Sequence, residues 1–141
     1  MDLIMLKDYL NQNIPADFLM GKILSEVEDY KKLHSLQGTS INLNVENKDL
    51  NIFVNKKSVL ILCRDYLEEK ITKETLQYLA EIIEAAKGVQ YANKEMEDII
   101  FVLANPEINY PMNKQLVDLV VKWLADYSDQ KFLFFLEHNI K

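Results

Sequence analysis

A chain of 141 residues, 49% apolar and 27% charged, is long enough to bury its own core and too apolar to stay disordered. Its net charge of −6 argues against a nucleic-acid binder, whose affinity rests on Lys and Arg against phosphates. One cysteine, Cys63, leaves no internal disulfide, and apolar runs no longer than 99–104 fall short of the roughly 20 residues of a membrane span.

The elements follow in chain order. Leu3, Leu6 and Leu10 recur at helical spacing behind Asp2, which predicts a helix over 3–11 capped by Asp2. The opening decamer has an acid where a signal peptide has its basic start, so a cytoplasmic protein is expected. After a break at 11–15, Asn13 is expected to cap a second helix, with Pro15 in its first turn. Leu19, Ile23, Val27 and Tyr30 form its stripe as far as about Leu33, and Gly38 closes a helical hairpin over 1–38. The segment 39–56 changes period. Ile41, Leu43 and Val45 alternate with polar residues, as do Leu50, Ile52 and Val54 beyond a polar gap. That pattern predicts a small β-hairpin at 41–54, with a helix from Asp49 as the alternative.

The helical core is expected over 57–141. Ser58 is placed as the cap of a helix with Leu60, Cys63 and Leu67 inward. Thr72 caps the next, striped by Leu76, Leu79, Ile83 and Ala86 and ended at Lys87–Gly88. A helix from Asn93 carries three acids in its opening turns and Ile99, Ile100 and Leu103 inward. The corner Asn-Pro-Glu-Ile-Asn-Tyr-Pro at 105–111 separates it from a helix over 112–126. In that corner Ile108 is expected to anchor in the core. Leu116, Leu119, Val120, Trp123 and Leu124 face inward in the 112–126 helix. The segment 131–140 is a short helix or an edge strand. The whole is expected to be a mainly α, single-domain bundle of about six helices.

An internal echo runs through the chain. Asp-Tyr-Leu at 8–10 and 65–67 is followed in both places by isoleucine and then leucine, at an offset of 65 − 8 = 57 residues. Both copies predict a helix end, a tight turn and a helix start. Three repeats or more would make a solenoid, and two make a pair of helical hairpins with the same turn.

Catalytic patterns do not emerge. Gly21, Gly38 and Gly88 are too scattered for a phosphate loop, and His34 and His138 stand apart, without a zinc-ligand spacing. Neither a cofactor nor a metal is expected, and Cys63 is placed in the core. Charge is more informative. Residues 61–110 hold 10 acids and 5 bases (−5), against 8 and 7 in 1–60 and 4 and 4 in 111–141. Glu74, Glu81 and Glu84 share one helix face with Tyr78, and Glu107 and Tyr110 adjoin it across the corner. With Glu68 and Glu69 these eight residues form the candidate partner-binding set. Acids around tyrosines suit a basic protein partner.

The stretch RDYLEEKITKETLQYLAEIIE at 64–84, then EMEDIIFVLANPEIN at 95–109 and Pro111, resembles a group of small bacterial proteins of uncharacterised function. Its pattern is a DYL–turn–I–S/T helix start and an ANPEIN-x-P corner, matched over about 57–124. Glu69 and Tyr110 stand where the group has glycine, and Tyr78 where it has tryptophan. A looser likeness, in the opening LKDYLNQNIPADFLMGKIL, is to colicin-like and contact-dependent toxin immunity proteins. This likeness implies a non-catalytic protein that masks a basic toxin with an acidic face. The alternative is a structural or regulatory adaptor that dimerises through its apolar C-terminal segment.

Overall fold

The computed structural model describes residues 1–34, 43, 45–47 and 49–140. Among them the chain is a mainly α-helical single-domain bundle of seven helices with one two-stranded sheet. The order is α1 (Leu3–Leu10), α2 (Ala16–His34), β1 (Ile52–Val54), α3 (Lys56–Leu67), α4 (Lys73–Ala85), β2 (Val89–Tyr91), α5 (Lys94–Ala104), α6 (Lys114–Asp126) and α7 (Phe132–Asn139). No helix among the described residues is long and apolar enough to cross a membrane.

Side-chain caps fix most helix starts by satisfying the first free backbone N–H groups. The Asp2 carboxylate accepts from the Ile4 N–H at 2.9 Å. Thr72, Asn93 and Asn113 accept from Thr75, Met96 and Leu116. Two expected caps are corrected. Helix α3 is capped by Asn55, while Ser58 completes the capping box from the third helical position. Asn13 does not cap α2; that helix starts at Ala16, and the Pro15 carbonyl accepts from Leu19 at 3.2 Å. The proline ring disfavours helical backbone at Ile14, which moves the start past it.

The internal echo is a duplicated turn. α1 and α3 end at Leu10 and Leu67, and α2 and α4 start at Ala16 and Lys73, in the same register. Gln12 and Glu69 hold φ of 62° and 63°. The N–H groups of Gln12 and Glu69 donate to the Tyr9 and Tyr66 carbonyls, both at 3.0 Å. Those of Asn13 and Lys70 reach the Asp8 and Asp65 carbonyls, both at 2.8 Å. The copies meet where the Tyr9 hydroxyl donates to the Asp65 carboxylate at 2.6 Å. Left-handed backbone costs a residue with a Cβ roughly 1–2 kcal/mol, and glycine almost nothing. Glu69 is exposed, and its contact with Lys114 at 3.5 Å is of the surface kind that contributes little. Glu69→Gly is therefore expected to stabilise the fold by about 0.5–1 kcal/mol, seen as a higher urea midpoint. A lower midpoint would show that the side chain outweighs the strain.

The sheet departs from the expected hairpin. β1 does form in the second arm, with Ile52 and Val54 buried and Phe53 exposed. Its partner is β2, in parallel, with Ile52 opposite Val89 and Val54 opposite Tyr91. A parallel pair needs a long crossover, and α3 and α4 supply it. In the first arm Ile41, Asn42 and Asn44 lie outside the described residues, as does Gly38, while Glu46 bridges Asp2 in parallel.

One buried cluster joins all seven helices, among them Leu6, Ile23, Leu62, Leu79, Ile100 and Trp123. In α3 the inward stripe is Val59, Leu62, Cys63 and Tyr66, turned from the expected one, so Leu60 and Leu67 are only half-buried. Cys63 is fully buried, and burial pushes its thiol up to about 12. α7 is a helix that buries Phe132, Phe135 and Leu136 and exposes Leu133 (46%) and Phe134 (57%).

The 105–111 corner is rigid for a different reason from the expected one. Ile108 is 69% exposed, not anchored in the core. The Asn105 carbonyl accepts from the backbone N–H groups of Ile108 and Asn109 at 3.2 Å and from the Asn109 side chain at 3.1 Å. Tyr110 and Met112 make the corner's contact with the core.

Candidate functional site

Helix α4 places Glu74, Tyr78, Glu81 and Glu84 three or four residues apart, on one side of the helix. α2 and α5 pack on α4, so little of that side remains open. Tyr78 is accordingly 4% exposed, which removes it from the exposed face expected of it. Its ring lies 5.2 Å from that of Tyr30, and its hydroxyl donates to Glu26 at 3.0 Å. Glu26 also takes the Met1 ammonium. Burial first, then the Glu26 charge, holds the Tyr78 phenol above its ordinary value.

The remaining acids sort into two groups. Glu68 and Glu69 sit in the α3–α4 turn beside cations, Lys70 at 3.4 Å and Lys114 at 3.5 Å. Glu74 approaches Lys31 at 3.9 Å. These three do not form a single anionic surface.

Glu81 acts on both Glu84 and Tyr30, and Glu107 acts on Tyr30 from the corner. The Tyr30 phenol is pushed up by burial first, then by Glu81 and by the Glu107 charge, against a lowering effect of Gln77. The Glu84 carboxyl is raised by partial burial and by Glu81, against the lowering effect of its hydrogen bond from Asn105. The Asn105 amide reaches both Glu84 oxygens, at 3.3 and 3.2 Å, and the Phe101 carbonyl at 3.0 Å. Tyr91, pushed up to about 12 by burial and by Glu97 and Glu84, marks the far edge. Tyr110 is half-buried against the core and does not stand out beside Glu107 as expected.

Two exposed apolar side chains neighbour Asn105 along the chain. Phe101, 43% exposed, lies one helical turn before Asn105, and Ile108 lies just after it. In sequence Glu26 and Phe101 carry no signal, while Tyr30, Asn105 and Ile108 read only as stripe and corner residues and not as part of a site. Among the described residues no group of three or more His, Cys, Asp or Glu is placed to hold a metal ion. In comparison with known proteins, no family model, no curated protein and no solved structure matches this chain.

Proposed function

We propose that the protein is a cytoplasmic, non-catalytic binding module of the immunity type, which neutralises a basic toxin by covering it with the junction of α4, α5 and the 105–111 corner. The observation that carries this reading is Ile108, 69% exposed on a turn held by Asn105, whose side chain reaches Glu84 of α4. Apolar anchors inside a charged rim are the usual anatomy of a protein interface. The acids would speed encounter with a basic surface, and Ile108 and Phe101 would slow dissociation. The likeness to toxin immunity proteins supplies the class of partner.

The test is co-expression and titration with any basic protein encoded next to this one. The wild type is expected to rescue growth and form a one-to-one complex. Reversing Glu81, Glu84 and Glu107 to lysine is expected to weaken that complex at least about tenfold, roughly 1.4 kcal/mol, chiefly through association and its salt dependence. Equal binding by both proteins, or no rescue, would count against the reading.

A second reading is favoured by Leu133 and Phe134, which α7 leaves exposed side by side. A homodimeric adaptor would bury them. Light scattering on the same samples decides between the two, since a stable dimer of the free protein supports the adaptor.

A further inference from the structure

A second candidate surface is a cavity lined by the α1–α2 turn and α3. It is an open cleft of about 1280 Å³ between the α1–α2 turn and the outer face of α3. Its charge opposes that of the chain. Four cations line it (Lys56, Lys57, Arg64 and Lys70) against three carboxylates (Asp17, Asp65 and Glu68), a net +1 in a chain of net −6.

The three carboxylates are already engaged. Asp65 accepts the Tyr9 hydroxyl, Glu68 pairs with Lys70, and Asp17 accepts the Phe18 N–H at 2.9 Å. Lys56, Lys57 and Arg64 form no ion pair with the described residues. Arg64, the one arginine of the chain, is exposed on the cleft wall and not braced in the turn. Between the two cationic ends the wall is apolar. Leu60 and Ile61 are half-buried on α3, and Ile14 faces the cleft from the turn.

Spacing decides what such a cleft would take. Lys57 and Arg64 are seven residues apart on a helix, so their Cα atoms lie about 10 Å apart along its axis. A single small anion cannot reach both ends. An extended peptide with acids three residues apart spans about 10 Å and places the two residues between them against Leu60 and Ile61. A cleft above the roughly 300–1,000 Å³ usual for small-molecule sites also favours a chain segment.

We infer that the cleft between the α1–α2 turn and α3 is a docking groove for an acidic, leucine-bearing peptide segment of a partner protein. Its acids meet Lys56/Lys57 and Arg64, and its apolar side chains lie on Leu60, Ile61 and Ile14. The groove stands independently of the acidic junction, which would engage a basic surface.

The probe is a capped Glu-Leu-Leu-Glu peptide, titrated into the ¹⁵N-labelled full chain and followed by amide shifts. Saturable, salt-sensitive shifts confined to 12–17 and 55–70 are expected. The exposed double substitution Lys57→Glu/Arg64→Glu is expected to weaken binding at least about tenfold with amide dispersion unchanged. The lysine triple variant of the acidic junction is expected to bind the peptide as the wild type does, so each surface can fail alone. The assignment is overturned by no saturable shift at millimolar peptide, or by equal binding of Lys-Leu-Leu-Lys. Undiminished binding to the double variant, or equal binding of a free aliphatic dicarboxylate, overturns it too.

Discussion

Truncating Trp123 to alanine is expected to lower folding stability by about 3–5 kcal/mol, the range for removing a large buried aromatic. Trp123 is among the largest fully buried side chains and does two jobs at once. Its ring meets Phe132 edge to face, with centroids 5.5 Å apart and planes at 76°. Its indole N–H donates to the Gln130 carbonyl at 3.1 Å. The first contact seats α7 on α6, and the second closes the turn between them. Alanine leaves a cavity under α7 and a carbonyl without its donor. Trp123→Phe keeps an aromatic edge and is expected to lose only about 1–2 kcal/mol. Because Trp123 is the sole tryptophan, urea unfolding should be followed by far-ultraviolet circular dichroism. A loss under 1 kcal/mol for alanine would mean that α7 adds little to the core.

The second large effect is at Gly88. A Cβ built there runs into the backbone carbonyl of Leu50 and crowds Asp49 behind it. These are backbone atoms, which cannot swing aside as a side-chain tip can. The Gly88 carbonyl also accepts the Ile52 N–H at 3.1 Å, at the start of the β1–β2 pairing. Making room for a methyl group thus means parting the strands. Gly88→Ala is expected to destabilise by about 2–3 kcal/mol, in the range of an overpacked core. Gly21 is the internal control. It lies within α2 with nothing within 4 Å of a built Cβ, so Gly21→Ala is expected to stabilise by about 0.5–1 kcal/mol. Similar chemical-denaturation curves for the two variants would refute the argument.

Gly88 also shows where local sequence stops being informative. As a glycine after a helix it was expected to be the stop for α4, yet α4 is capped by Ala86, and the need for glycine comes from Leu50. Helices themselves were legible, because apolar spacing and cap residues act within a few positions. The strand β1 was legible from its alternation, but β2, three residues long, has no period to read, and nothing local links the two. Tyr78 was misplaced because periodicity gives the direction of a side chain and not the second helix that covers it. Ile108 was misplaced for the opposite reason. An isoleucine among prolines and asparagines looks like an anchor, whereas the backbone bonds of Asn105 hold the corner without it.

The acidic junction was half legible for the same cause. Glu81 and Glu84 share a helix face by spacing, but Glu107 joins them only because the corner folds back over α4. Glu69 lost its place in the set to Lys114, which is 45 residues distant. The cleft left no mark in the sequence, since its walls come from the α1–α2 turn and α3, brought together by Tyr9 and Asp65.

The parallel pairing of β1 with β2 has a kinetic consequence. Its two strands lie at either end of the α3–α4 hairpin, so they come into register only once those helices have paired. Strand closure is then expected to be a late event, completed on the native side of the folding barrier. Gly88→Ala is accordingly expected to leave the refolding rate almost unchanged and to speed unfolding, so that the two strands act as a latch on a hairpin already formed.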